Sequence, residues 1–115
     1  MKFYRLLVLL SLLAFSLPGL ALSTGDSAMV EWKGQWYPAT ITSQSDASFR
    51  IHYKGYDNSW DEWITPARMR IQVLWKGTWY GAKVLETSGS RAYIHYTGYG
   101  SEWDEWVGMN RIRSR

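Results

Sequence analysis

The spacing of apolar and polar residues from position 29 onward is typical of short β strands. Apolar and polar side chains alternate, which places them on opposite faces of each strand. Glycine turns at Lys33-Gly34 and Lys54-Gly55 separate these stretches, and a polar turn is expected over 43–48. In the first half of the chain, strands are predicted over residues 29–32, 36–42, 49–53, 60–64 and 68–71.

The same pattern occurs twice along the chain. Residues 30–70 align with residues 73–113 without a gap at an offset of 43, and 19 of the 41 aligned positions are identical. A repeat of this period indicates tandem copies of one small unit. Because no useful helical periodicity interrupts either copy, we predict an all-β protein of two five-stranded, SH3-like antiparallel barrels. The predicted domains cover residues 22–71 and 72–115, and so short a connection predicts a fixed mutual orientation.

Residues 1–21 have a different character. Lys2 and Arg5 precede an apolar stretch over 6–17, and small residues follow up to Ala21. This order predicts a cleavable signal peptide over 1–21 and export to the periplasm or the medium. The alternatives are an uncleaved anchor or a buried helix, but the stretch is short for a bilayer span. We therefore expect no stable membrane span after cleavage.

Charge and cysteine content narrow the function classes. The formal charge is +3, but removal of Lys2 and Arg5 leaves 11 basic and 10 acidic residues, a charge of +1. Nucleic acids bind proteins mainly through clustered positive charge, so this near-neutral charge argues against a nucleic-acid partner. No disulfide can form without cysteine, so stability is expected to come from packing of large side chains such as the 8 Trp and 8 Tyr.

Four tryptophans are predicted to fill the barrel cores or the contact between barrels. They flank alternating strand positions beside small and branched apolar residues. Packing of this kind would account for Trp36, Trp63, Trp79 and Trp106.

A second aromatic set falls at strand ends and beside glycine turns, where side chains gather at a barrel mouth. Aromatic ring faces carry negative potential, so such a mouth would attract a cation, best a methylated ammonium. Pure core packing is the competing explanation. The set is Trp32, Tyr37, Tyr53, Tyr56 and Trp60 in the first copy, and Trp75, Tyr80, Tyr96, Tyr99 and Trp103 in the second.

Two motifs carry a family resemblance that covers nearly all of residues 22–115. Residues 36–41 (WYPATI) and 95–100 (HYTGYG) resemble strand motifs of Tudor domains. Residues 51–56 (IHYKGY) followed by 60–63 (WDEW) are similar to chromo barrel and Tudor-knot domains. The resemblance implies an SH3-like barrel that reads methyl-lysine or methyl-arginine, or that binds RNA.

Carried onto this chain, the Tudor cage implies Trp32, Tyr37, Tyr53, Tyr56 and the polar Asn58. The chromo barrel cage implies the same three tyrosines together with Trp60. Two departures stand out: tyrosines occupy positions 56 and 99, where chromo barrels usually have tryptophan, and Ser101 replaces the equivalent of Asn58.

The sequence offers no recognisable catalytic or metal site. His52 and His95 are predicted to be surface histidines that hydrogen-bond to a neighbour, and no metal-ligand spacing surrounds them. Adjacent carboxylates such as Asp61-Glu62 point to opposite sides of a strand, so we expect one of each pair to bind Arg68 or Arg111. We therefore predict a non-enzymatic protein without a cofactor.

The leading interpretation is an exported binding module with two aromatic cages for a methylated or otherwise cationic peptide or small ligand. The alternative is an SH3-like module that binds a protein or a cell-envelope polymer through its surface, with the aromatics as core. Weak RNA or single-stranded nucleic-acid binding is a third possibility. If the copies differ in ligand, the sequence points to Asn58/Ser101 and Pro38/Gly81.

Overall fold

The structure is a computed structural model that describes residues 21–115. The predicted signal peptide falls on residues 1–21 and thus lies almost wholly outside the described residues. Within 21–115 the chain forms nine β strands, four short 3₁₀ helices and no α-helix. No helix in this part of the chain is long and apolar enough to cross a membrane.

The first repeat forms a four-stranded antiparallel sheet. Its strands follow one another in sequence order, so each pairs with its neighbour along the chain. They are β1 (Ser27–Trp32), β2 (Gln35–Ser45), β3 (Ser48–Tyr53) and β4 (Glu62–Ile64).

The second repeat forms a five-stranded antiparallel sheet in the order β8-β7-β6-β5-β9. Its last strand pairs with its first, which joins the two ends of the unit. The strands are β5 (Ile71–Trp75), β6 (Thr78–Ser88), β7 (Arg91–Tyr96), β8 (Glu105–Gly108) and β9 (Ile112–Ser114).

The predicted all-β tandem architecture is confirmed, with one difference between the copies. In the first repeat the closing strand is reduced to an isolated bridge between Val30 and Met69, supported by a bond from the Arg70 amide to the Met29 carbonyl. The chain then enters β5 of the second sheet at Ile71. The first repeat lacks a full fifth strand because its chain continues directly into β5, whereas the second repeat ends in β9, which pairs with β5.

The strand boundaries differ from the prediction around two segments. Residues Asn58–Trp60 form a 3₁₀ helix, so the strand predicted from residue 60 begins only at Glu62. The Asp57 side chain caps this helix by accepting a hydrogen bond from the Ser59 amide. Strand β2 continues to Ser45 through a bulge between Ile41 and Ser43, so the predicted polar turn begins later.

The two repeats share one hydrophobic core. Inward-facing residues of both sheets form a single buried cluster, in which Val30, Phe49, Ile51, Ile94 and Ile112 are completely inaccessible to solvent. This cluster ties the repeats together through apolar burial, the main favourable term in folding.

Backbone contacts also join the ends of the described chain. The Leu22 amide donates to the Ile112 carbonyl at 2.9 Å, and the Arg115 amide donates to the Arg70 carbonyl at 3.0 Å. The Ser114 hydroxyl donates to the Ser27 carbonyl at 2.8 Å. The predicted fixed mutual orientation therefore rests on both a shared core and direct hydrogen bonds.

Candidate functional site

The first repeat carries an aromatic pocket at one end of its sheet, which we call pocket 1. Trp32 ends β1, Tyr37 lies on β2 and Tyr53 ends β3, while Tyr56 and Trp60 come from the loop that follows. These five side chains line a cavity of about 110 Å³. The structure thus brings together the five aromatic positions singled out from the sequence.

The rings of pocket 1 meet at steep angles. Trp32 and Trp60 have ring centroids 5.7 Å apart at 78°, and Tyr37 lies 6.0 Å from both Tyr53 and Tyr56 at 81° and 87°. Edge-to-face packing of this kind is favourable in itself. The five rings therefore surround the cavity at several angles instead of stacking flat.

A polar network fixes the tyrosine at the base of pocket 1. The Tyr53 hydroxyl donates to Glu62 Oε2 at 2.6 Å and accepts from Arg68 Nη2 at 3.1 Å. Arg68 also binds Glu62 with both terminal nitrogens and donates from Nε to the Glu31 carbonyl. Each polar group in this half-buried region is therefore paired, as partial desolvation requires.

The network shifts the pKa values of Tyr53 and Glu62. Burial, then the hydrogen bond to Glu62, raises the pKa of Tyr53 to about 12, so the hydroxyl remains a donor at neutral pH. The Arg68 hydrogen bond holds the pKa of Glu62 below its ordinary value of 4.5. As predicted, one carboxylate of the Asp61-Glu62 pair binds Arg68. The other binds histidine, with Asp61 Oδ1 2.8 Å from His52 Nδ1.

The second repeat has the equivalent site, which we call pocket 2. Its ring contacts match those of pocket 1: Trp75 and Trp103 lie 6.0 Å apart at 77°, and Tyr80 lies 6.0 Å from Tyr96 and from Tyr99. The cavity is larger, about 370 Å³. Its lining consists of Trp75, Tyr80, Tyr96, Tyr99, Trp103, Glu102, Asp104 and Glu105.

The base of pocket 2 repeats the network of pocket 1. The Tyr96 hydroxyl donates to Glu105 Oε2 at 2.6 Å, and Arg111 binds the same oxygen at 2.9 Å. Burial and the hydrogen bond to Glu105 raise the pKa of Tyr96 well above its ordinary value. Burial opposes ionisation of Glu105, yet hydrogen bonds from Arg111 and Tyr96 lower its pKa overall. His95 again lies 2.8 Å from an aspartate, Asp104.

Two features of the pockets differ from the sequence-based expectation. Asn58 is exposed on its 3₁₀ helix and is not among the side chains that line pocket 1. Glu102, which the sequence reasoning missed, does line pocket 2. The only signal in the sequence was an acidic residue directly before Trp103 where the first copy has Ser59 before Trp60.

The four tryptophans assigned to the barrel cores or to the contact between barrels are not buried, so the prediction of core packing is wrong for them. Trp36 and Trp63 are 39% and 47% exposed, and Trp79 and Trp106 are partly exposed. The strand register explains this, because Tyr37 and alternate residues after it face inward and Trp36 must therefore face outward. The buried core of this protein is instead filled mainly by aliphatic residues and Phe49.

These outward tryptophans contact basic or aromatic partners. The guanidinium of Arg70 lies 4.8 Å from the Trp36 ring centroid, and that of Arg113 lies 4.2 Å from Trp79. Trp106 packs on Tyr93 with centroids 5.3 Å apart. The outer face of each sheet therefore presents an indole with a guanidinium over it.

Side chains around the pockets do not form a metal site within residues 21–115, where no group of three or more His, Cys, Asp or Glu lies close enough to hold an ion. A lysine ammonium lies near one wall of each pocket instead. Lys33 Nζ is 4.9 Å from the Trp32 ring centroid, and Lys76 Nζ is 5.0 Å from that of Trp75. Both distances are within the range of cation–π attraction.

Two small antiparallel β units, each with an aromatic pocket, define a binding module of the SH3-like class. The family model of the Tudor-knot, described as "RNA binding activity-knot of a chromodomain", matches residues 22–71 and again residues 68–114. The chain belongs to the Tudor-knot family, a family of binding domains. Comparison with curated proteins finds no match.

Proposed function

We propose that this protein is a non-enzymatic, exported binding module whose two pockets each take a methylated lysine, a methylated arginine or another quaternary-ammonium-type cation. The observation that carries the proposal is the clustering of five aromatic side chains around a cavity in each repeat. Cations are attracted to ring faces within about 6 Å of the centroid, more strongly when they are easily desolvated. A methylated ammonium meets that condition better than a primary amine does.

The size of pocket 1 supports a small cationic head group. A cavity of about 110 Å³ lined by five aromatic side chains suits a compact head group of a few non-hydrogen atoms. Trimethylammonium is such a head group. The nearby carboxylate Glu62 is already neutralised by Arg68, so the rings supply most of the attraction in this pocket.

Export would determine which cations the protein meets. The proposed signal peptide over 1–21 would deliver residues 22–115 outside the cytoplasm, where methylated or cationic peptides and small ammonium compounds are the available ligands. Sequencing of the mature N-terminus from the culture medium or periplasm tests this part. A mature chain that still begins at Met1 would contradict it.

The binding proposal is tested by titrating residues 22–115 with trimethyl-lysine, choline and unmodified lysine while following tryptophan fluorescence. We expect saturable binding of the two methylated cations and weaker binding of lysine. The variant Trp60→Ala with Trp103→Ala should weaken binding about five- to tenfold, because one exposed wall of each cage is lost. Trp63→Ala is the matched control, since Trp63 has similar exposure but lies outside the pocket.

RNA binding is the second candidate, favoured by the family description and by the outward indole–guanidinium pairs at Trp36 and Trp79. Bases stack on such surfaces without sequence preference. The near-neutral charge of residues 22–115 argues for weak, salt-sensitive binding. Trp36→Ala with Trp79→Ala should abolish RNA binding and leave cation binding unchanged.

A further inference from the structure

The two pockets differ in the loop that carries Trp60 in the first repeat and Trp103 in the second. In the first repeat, residues 57–59 are Asp-Asn-Ser, and in the second, residues 100–102 are Gly-Ser-Glu. The acidic residue therefore moves from the beginning of the 3₁₀ helix to its middle. The five aromatic positions and the tyrosine–glutamate–arginine network are the same in both copies.

The loop of the second repeat places a carboxylate at the pocket. Glu102 lines pocket 2, and its Cδ lies 2.8 Å from where a Cβ at position 100 would stand. Any side chain at Gly100 would therefore displace this carboxylate. In the first repeat, position 57 does carry a side chain, and that side chain is used to cap the helix at the Ser59 amide.

Glu102 is also the carboxylate of pocket 2 that is left to bind a ligand. Asp104 accepts from His95, and Glu105 is held by Arg111 and Tyr96. Among residues 21–115, no side-chain hydrogen bond or ion pair engages Glu102. Pocket 1 has no counterpart, because Ser59 stands at that position and does not line the cavity.

We infer that the two pockets select different cations: pocket 1 a quaternary ammonium, and pocket 2 an ammonium that keeps at least one N–H, as in a monomethylated or dimethylated lysine. This inference rests on the proposed function. A quaternary nitrogen has no proton to donate, whereas a tertiary ammonium donates a charge-assisted hydrogen bond to a carboxylate. The larger cavity of pocket 2 leaves room for the head group and the carboxylate together.

The test follows each pocket while the other is weakened by loss of its tryptophan. In a Trp60→Ala background, where only pocket 2 is complete, dimethyl-lysine is expected to bind about five- to tenfold more tightly than trimethyl-lysine. Adding Glu102→Gln should reduce this preference to within about twofold. In a Trp103→Ala background, trimethyl-lysine should bind at least as tightly as dimethyl-lysine.

A loop exchange provides the converse test. Asp57→Gly with Ser59→Glu in the Trp103→Ala background should shift pocket 1 towards dimethyl-lysine. The same comparison is made on the unsubstituted chain by NMR, from the indole N–H signals of Trp60 and Trp103, so it does not depend on the stability of any variant. Equal preferences in both pockets would overturn the inference while leaving the proposed function intact. No response to any methylated cation would overturn both.

Discussion

At the scale of single residues, the base of each pocket is held by a tyrosine whose hydroxyl lies between a glutamate and an arginine. Tyr53 and Tyr96 therefore present their rings to the cavities in a fixed orientation. Because the same groups also join the closing segment to the sheet, the network contributes to stability as well as to the shape of the site.

This network predicts a dependence of stability on pH. The pKa values of Glu62 and Glu105 are lowered in the folded chain, so their contribution is present above the unfolded value of 4.5 and is lost as the pH falls through the folded values. We expect the free energy of unfolding to decrease steadily below pH 4.5 in urea titrations. Glu62→Gln with Glu105→Gln should flatten that decrease, whereas the exposed control Glu86→Gln should not. If the free energy of unfolding falls equally with pH in all three proteins, Glu62 and Glu105 are not the groups responsible.

The aromatic residues of the pockets could be predicted from the sequence, but one of their acidic partners could not. Tyr37 and Tyr53 were identifiable because the two-residue period and the glycine turns place them at strand ends. The Glu102 carboxylate occupies space that a side chain at position 100 would take, and the absence of that side chain at Gly100 is a feature that no periodicity encodes. The outward tryptophans were misassigned because they flank strand positions beside small and branched apolar residues, although the alternation along each strand places them on the outer face.

At the scale of elements, turns and 3₁₀ helices set the position of the pocket walls. Lys33-Gly34 and Lys76-Gly77 both have positive φ, the geometry of the tight turns that match the twist of a hairpin. The sequence located these turns correctly. It did not reveal the 3₁₀ helix at Asn58–Trp60, because a single turn is too short to show a repeated pattern, and the equivalent turn at Ser101–Trp103 forms without a side-chain cap.

Gly98, which precedes Tyr99 of pocket 2, provides a prediction about these turns. Gly98 has φ of 86°, and an added Cβ would meet no atom within 4 Å, so Gly98→Ala should cost about 1–2 kcal/mol of stability through backbone strain alone. The control is Gly81→Ala, which has no positive φ and only an ordinary contact with Thr97. Urea denaturation should show the first variant destabilised and the second unchanged or stabilised. Equal effects would contradict this account of the turn.

At the scale of the whole molecule, the two repeats form one structural unit over residues 21–115. A single buried cluster spans both sheets, and the Leu22–Ile112 and Ser114–Ser27 hydrogen bonds join segments far apart in sequence. The sequence indicated a close connection between the copies from their short linker. It could not reveal a shared core, because both copies contribute the same kinds of apolar residue.

A shared core predicts one cooperative unfolding transition. Ile112 is completely buried, and Ile112→Ala should destabilise the whole chain by about 2–5 kcal/mol. Circular dichroism and tryptophan fluorescence should give coincident curves before and after the substitution. Two resolved transitions, with that of the first repeat unaffected, would show that the repeats fold independently.

The proposed pockets attract ligands through the positive charge of the ligand and not merely through apolar surface. Calorimetric titration of residues 22–115 with choline and with its neutral isostere 3,3-dimethylbutan-1-ol separates the two, since the compounds share a shape and differ in charge. We expect choline to bind measurably and the isostere to bind at least about fivefold more weakly. Equal affinity for both, or no binding of choline, would contradict the account.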